Sequence, residues 1–423
     1  MSRHTSRPRC PGLPGRIRLP WPPSAPAVVT STISVAVPFV AAVAWLGIGL
    51  LGCQSAEDGP TAEKFVETRE VMGTLATITV IAEGGRDAVS PMEAAFAALD
   101  SVNARMSAYQ TESDIGRLNR AGAAERVVVD PATFEVLEYA RQCGELSGGA
   151  FDITVGPLIG LWREAAGRDQ PPTEEELATV LACVGLKHLG TDPDRREVWF
   201  LRDGMRIDLG GIAKGYGIDR AVAALQAEGI EAGIVEVGGD LRCFGRIPQG
   251  LIGKQAALPV RTLRRKSPGP VGSSQEAQPP EGFFPGLRRT DAAPLTPRRP
   301  WPLGIQSPFA EELLGKIVLS EGAVATSGHY RRYTSVAGQR YSHILDPRTG
   351  LPVEDPASVT VIADDALTAD ALATTISVLG THDGMVLADS LPGVEAAIVE
   401  GTPEQPIIHR SAGFPKIKAV AEP

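Results

Sequence analysis

The chain has 423 residues, with 41 Lys and Arg against 50 Asp and Glu and a net charge of −9 at pH 7. The two signs are interspersed, which leaves no basic footprint for nucleic acid; the length allows one large domain or two ordinary ones. The five cysteines, Cys10, Cys53, Cys143, Cys183 and Cys243, include no C-x-x-C pair. They indicate neither a zinc site nor a disulfide framework, and the last three read as buried apolar thiols.

At the N-terminus, Arg3, Arg7, Arg9, Arg16 and Arg18 precede an uncharged stretch, 25–52, rich in Val, Ala, Ile and Leu. This is the pattern of a secretion signal with a long basic leader, or of an uncleaved membrane helix. Leu50-Leu51-Gly52-Cys53 resembles a bacterial lipobox, in which the Cys53 thiol receives the lipid. Residues 53–64, with Gln54, Ser55, Glu57 and Asp58, read as a tether. Either anchor places the folded part outside the cytoplasm.

Globular patterning starts at Phe65. A β-branched run, 76–81, predicts a strand, and Met92, Ala95, Phe96, Leu99 and Val102 give helical spacing over 91–106. Further helices are predicted over 133–147 and 174–184, with Pro131 and Pro172 at their starts, where a missing N–H is harmless. Arg202-Asp203-Gly204 between the apolar runs 197–201 and 205–209 predicts a hairpin. A helix over 213–226 and a strand over 233–237 follow. From 247 to 299 the composition turns to Pro, Gly, Ser and Arg without any period, which predicts a disordered insertion. Strands then resume over 301–306, 316–320, 323–326, 332–337 and 358–363, with a helix over 367–379 and a tail over 411–423. Strands and helices alternate irregularly, so the fold class expected is α+β with antiparallel pairing rather than a doubly wound sheet.

Several stretches carry chemistry. In Arg206-Ile-Asp-Leu-Gly-Gly-Ile-Ala-Lys-Gly-Tyr-Gly217, an apolar strand delivers Asp208 to a glycine turn that opens a helix. Close backbone approach and helix N–H groups there suit a phosphate-bearing ligand, although the spacing matches neither a Walker motif nor a dinucleotide fingerprint. In Thr368-Ala-Asp-Ala-Leu-Ala-Thr374, Asp370 and Thr374 lie one helical turn apart and project from one face as hard oxygen ligands for magnesium. The bland reading makes Thr368 the helix N-cap and Asp370 a complement to the helix dipole. Thr326-Ser-Gly-His-Tyr-Arg331 precedes Tyr341-Ser-His-Ile-Leu-Asp-Pro-Arg-Thr-Gly350, which sets His343 and Asp346 near a turn. Met72-Gly73-Thr74, Met106-Ser-Ala-Tyr109 and Ser147-Gly-Gly-Ala-Phe-Asp-Ile-Thr-Val-Gly-Pro157 supply small, aromatic and acidic groups for a flat-ring pocket.

Taken in order, M-G-T, M-S-x-Y, G-G-A-F-D-I-T-V-G-P, D-L-G-G-I-A-K-G-Y, V-E-V-G-G-D, S-H-I-L-D-P-R-T-G and T-A-D-A-L-A-T make the chain resemble the ApbE family of FAD:protein FMN transferases, from Phe65 to about Val399 apart from the insertion. The resemblance implies an ApbE-like fold related to the T-fold, forming a single catalytic unit from 65–246 and 300–410. It implies FAD as substrate and Mg2+ as cofactor, the metal held by Gly211 through its carbonyl and by Asp370 and Thr374. Met72, Ala108, Tyr109, Ala150, Phe151, Asp152, Asp208, Lys214 and Ile344 match positions of flavin contact. His343, Lys214 and Asp370 are the implied catalytic residues, and the implied partner is an extracytoplasmic flavoprotein of electron transport, modified on a Thr or Ser hydroxyl. Two alternatives stay open on the same residues: an Mg-dependent FAD pyrophosphatase yielding FMN and AMP, and a non-catalytic flavin-binding lipoprotein. The insertion and the proline-rich leader depart from the family pattern.

Overall fold

A computed structural model describes residues 62–83, 85–248, 261–262, 298–328 and 333–419. The leader, Cys53, most of the predicted insertion and His329-Tyr330-Arg331 lie outside the described residues. Strand β1 (Ala62–Val71) turns through Met72-Gly73 into β2 (Thr74–Glu83). Both turn residues have positive φ, 54° and 71°, the geometry of a two-residue hairpin whose twist matches its strands. Helices α1 (Val89–Met106) and α2 (Asp114–Ala121), strand β3 (Val127–Val128), and helices α3 (Pro131–Leu146), α4 (Gly156–Arg168) and α5 (Glu174–Leu181) follow. Next come β4 (Leu189–Asp192), β5 (Glu197–Phe200), α6 (Ala213–Ala227), β6 (Ala232–Val237) and β7 (Asp240–Phe244).

The short pieces β8 (Ile247–Pro248), β9 (Arg261–Thr262) and β10 (Arg298–Arg299) lead to β11 (Trp301–Gln306), β12 (Leu313–Leu319) and β13 (Gly322–Gly328). The hairpin β14 (Tyr333–Val336) and β15 (Gln339–Ser342), strand β16 (Ser358–Ala363), helix α7 (Ala366–Ser390) and strands β17 (Glu395–Gly401) and β18 (Pro406–Arg410) complete the described chain.

The main sheet runs β18-β17-β16-β13-β7-β6-β2-β1-β9, antiparallel except at the β1–β9 edge. The α+β expectation is met. One face carries α1, α6 and α7 over a core that includes Ile78, Phe96, Leu99, Leu225, Val361 and Ile376. The β11–β12 hairpin packs on the other face with Trp301, Ile305 and Ile317. Every residue of β16 is buried, as a strand covered on both faces requires. A second cluster joins α2, α3 and β5 to Phe151, Leu209 and Ile212, and so ties the helical region to the start of α6.

Several boundaries differ from expectation. The run 205–209 forms no hairpin with β5; β5 pairs instead with β4 and β3, and Arg206 makes an isolated bridge to Val155. Periodicity located the apolar run, but β5 is already paired on both edges, with β4 on one side and β3 on the other, which leaves no free edge for 205–209. Helix α5 starts from a capping box, Thr173 with Glu176, rather than from Pro172. Helix α7 continues well beyond 379, interrupted at Gly380 where φ is 77°. The tether's last residues, 62–64, belong to β1, and the ends of the insertion pair as β8 with β10. The tail is docked up to 419: Phe414 is buried, and Lys418 exchanges two backbone hydrogen bonds of 2.8 Å with Lys316. Cys143 and Cys243 are buried free thiols, and Cys183 is buried as well.

Candidate active site

A cavity of about 570 Å³ opens where α1, α4, the start of α6, the end of β13 and α7 converge. Every cavity residue expected from the sequence lines it: Met72, Ala108, Tyr109, Ala150, Phe151, Asp152, Asp208, Gly211, Lys214, His343, Ile344, Asp370 and Thr374. The volume lies within the range of small-molecule sites.

The floor is built by three elements. Leu209 and Ile212 are buried and fix the chain entering α6, while Asp208 Oδ1 accepts the Gly210 N–H at 2.8 Å and closes the glycine turn. Lys214 then falls in the first turn of α6. Its ammonium donates to Asp370 Oδ1 at 2.8 Å and lies 2.7 Å from Asp240 Oδ2. Both carboxylates are buried, at 5% exposure for Asp240 and 3% for Asp370. Each is also anchored by backbone: Thr326 N–H donates to Asp240 Oδ1 and Gly215 N–H donates to Asp370 Oδ2, both at 3.0 Å.

The glycine at 215 permits a close approach, because a Cβ there would stand 2.1 Å from the Ala366 carbonyl oxygen and force a backbone shift. This close approach of α6 to α7 is what lets one lysine reach a carboxylate on the neighbouring helix. Burial alone lowers the Lys214 ammonium, but Asp240 and Asp370 outweigh it and hold its pKa above the usual lysine range. Asp240 is pushed up to about 6, first by burial and against the pull of Lys214, with Asp370 adding to the rise. One ammonium cannot fully compensate two buried carboxylates.

Asp370 and Thr374 face the cavity from one side of α7, one turn apart. The N-cap of α7 is Asp365, whose side chain accepts the Thr368 N–H at 2.7 Å; Thr368 itself pairs with the Tyr139 hydroxyl, so the capping alternative for Thr368 fails. Thr374 Oγ1 lies 3.4 Å from Ser327 Oγ, and a Cβ built on Gly211 would meet it at 3.2 Å. Gly211, Asp370 and Thr374 therefore gather at one end of the cavity. Among the described residues no group of three or more His, Cys, Asp or Glu side chains is placed to hold a metal. A carboxylate and a hydroxyl meet here beside Gly211, whose backbone carbonyl would add a third hard oxygen. This set fits magnesium, which keeps waters and substrate phosphate oxygens in its remaining positions.

The mouth is different. Tyr109 is 71% exposed, with the Arg163 guanidinium 5.7 Å from its ring centre. His343 is exposed at the cavity edge, beside buried Ile344. The β14–β15 hairpin leans on α4: Trp162 packs 4.9 Å from Tyr341, and Asp169 Oδ1 accepts the Ala337 N–H at 2.6 Å. Asp152 lines the cavity, but its carboxylate accepts from Thr154 N–H, Thr154 Oγ1 and Leu186 N–H, so it organises the loop, and burial raises its pKa. Asp346 is turned to Arg348, in a two-pronged ion pair, rather than to His343.

Asp240 was not singled out by the sequence, although it ends the V-E-V-G-G-D motif. A buried carboxylate after a Gly238-Gly239 turn was the available signal; its partner, more than twenty residues away, was not.

This is a mixed helix and antiparallel-sheet protein with a polar, carboxylate-lined floor under an aromatic-rimmed cavity. The sequence model of the ApbE family matches residues 72–262 and 289–398, and the chain belongs to that family. It is 31% identical over 352 residues to the FAD:protein FMN transferase of Vibrio cholerae serotype O1, covering 81% of this chain and 87% of that one. Among solved structures it is similar to the ApbE protein of Thermotoga maritima, with a TM-score of 0.66, 31% identity and coverage of 83% and 98% of the two chains. It is also similar to the flavin transferase ApbE of Vibrio cholerae, with a TM-score of 0.64, 29% identity and coverage of 84% and 99%.

Proposed function

We propose that this chain transfers FMN from FAD to a Thr or Ser hydroxyl of an extracytoplasmic flavoprotein and releases AMP, in a magnesium-dependent reaction. The observation that carries the reading is the cavity floor, where Lys214, Asp370, Thr374 and Gly211 converge beneath a cleft with Phe151 buried in its wall and Tyr109 exposed at its mouth. Membership of the ApbE family, and relatives that are FAD:protein FMN transferases, support it.

In this reading the apolar and aromatic wall, Met72, Ala108, Tyr109, Ala150, Phe151 and Ile344, receives the flavin ring, while Asp208 and the α6 N-terminus face the polar part of FAD. Magnesium, held by Asp370, Thr374 and the Gly211 carbonyl, would supply charge neutralisation at the pyrophosphate. Lys214, fixed from two sides, offers its ammonium to a phosphate oxygen without reorganising. The acceptor Oγ forms a bond to the FMN phosphorus, and the bond from that phosphorus to the AMP oxygen breaks. The hydroxyl proton passes to His343, whose exposed position at the mouth suits an incoming protein hydroxyl.

The test is incubation with FAD, magnesium and a flavin-accepting domain. Protein-bound flavin fluorescence after denaturation, with one AMP released per flavin attached, is the expected result; free FMN without labelled protein would establish the pyrophosphatase instead. For localisation, we propose lipid attachment at Cys53 and residence on the outer side of a bacterial membrane. Cys53→Ser is expected to move the protein from the membrane fraction to the soluble extracytoplasmic fraction.

A further inference from the structure

Asp240 takes no direct part in the proposed transfer, yet it is as buried as Asp370 and as close to Lys214. Its position is set by the sheet: it opens β7 and is fixed by the backbone N–H of Thr326 on β13. Asp370 sits across from it on α7, also fixed by backbone. Lys214 is thus strung between a carboxylate on the sheet and a carboxylate on a helix, at nearly equal distances of 2.7 and 2.8 Å.

We propose that Asp240 is a positioning residue that shares the Lys214 ammonium and so leaves Asp370 able to take a divalent cation. The inference rests on the metal-site reading of Asp370 given above. Its logic is charge balance in a water-poor place. At pH 8 the two carboxylates and one ammonium leave one net negative charge, which attracts a cation. Without the Asp240 charge, Lys214 and Asp370 form a neutral pair, and a cation arriving at Asp370 meets an ammonium that no other carboxylate restrains. The same lysine that assists at a phosphate would then compete with the metal. Asp240 separates those two roles.

The experiment measures Mn2+ binding to the purified full chain at pH 8 by electron paramagnetic resonance, with no turnover involved. Asp370→Asn is expected to lose the bound Mn2+ signal; if it does not, the metal-site reading itself fails. With that loss established, Asp240→Asn is expected to weaken Mn2+ binding by about tenfold or more, the low end of the one to three decades by which a unit charge a few ångströms away biases an ionic equilibrium. Lys214→Met is expected to tighten binding, and Lys214→Met in the Asp240→Asn background to bring affinity back to within about threefold of wild type. A merely structural role for Asp240 would weaken binding without rescue by the second change. Unchanged Mn2+ affinity in Asp240→Asn, or no rescue in the double variant, overturns the inference. Should Asp240→Asn fail to fold, the single Lys214→Met variant decides: unchanged or weaker Mn2+ binding rejects it.

Discussion

The floor and the mouth of the cavity are built in opposite ways. At the floor the three charged side chains each have two partners: Lys214 from β7 and α7, Asp370 from two residues of α6, Asp240 from β13 and α6. At the mouth, Tyr109 and His343 are exposed, and the β14–β15 hairpin meets α4 through the tilted Trp162–Tyr341 contact and one bond to Asp169. Charge chemistry in a low-dielectric place needs fixed dipoles, whereas admitting a second protein needs surface that can adjust. The difference teaches that the floor is over-determined by the fold and the mouth is not.

Four measurements break or sharpen that contrast. The largest effect is expected of Asp370→Ala, which should lower magnesium-dependent AMP release from FAD by about 10²–10³-fold, the scale of losing one electrostatic element from a preorganised site. Normal turnover would remove Asp370 from the floor's chemistry. Next is Gly215→Ala, where the added Cβ meets backbone of α7. Urea unfolding should show a loss of about 1–3 kcal/mol, as overpacking typically gives, and a neutral result would mean that α6 and α7 part freely.

Tyr109→Ala should leave unfolding free energy within about 0.5 kcal/mol of wild type, while FAD affinity by fluorescence quenching falls severalfold, equivalent to about 1 kcal/mol for a lost aromatic contact. Destabilisation there would show the mouth to be part of the scaffold after all.

The smallest effect concerns alkaline pH. Burial pushes Cys143 and Cys243 up to about 12, and raises Tyr139 and Tyr216 above their usual range. Groups whose folded pKa is raised contribute stability below their unfolded values, and that stability is lost as pH rises toward the folded ones. The midpoint of thermal unfolding should therefore begin to fall above about pH 9, near the ordinary thiol pKa. The two thiols should also resist iodoacetamide at pH 8 in the folded protein, since the thiolate is the reactive form. Prompt labelling of Cys143 would mean that the scaffold behind the floor opens readily.

Much of the fold was legible because its signals are local. The β-branched run of β2, the apolar stripe of α1 and the β-branched run of β16 each declare their element through local side-chain pattern alone. The hairpin expected at 197–209 failed because β-pairing depends on which partner is available, and β4 competed for β5. Helix α4 and strand β18 passed unread: the first begins inside the G-G-A-F-D-I-T-V-G-P motif, and the second is exposed at a sheet edge with no alternating pattern.

The sequence by itself determined the α+β class, the family, and the residue types of the site: a carboxylate and a hydroxyl one turn apart, a lysine at a helix start, and small and aromatic residues for a wall. The residue types follow from spacing within single segments, the family from the order of many motifs along the chain. Only the tertiary structure decided that Lys214 is shared between Asp370 and Asp240, that Asp152 serves its own loop, and that Asp346 belongs to Arg348 rather than to His343. Each of those outcomes is a choice of partner. An ionic or hydrogen-bonding group takes whichever partner the packing brings within about 3 Å, and no pattern along the chain encodes that distance.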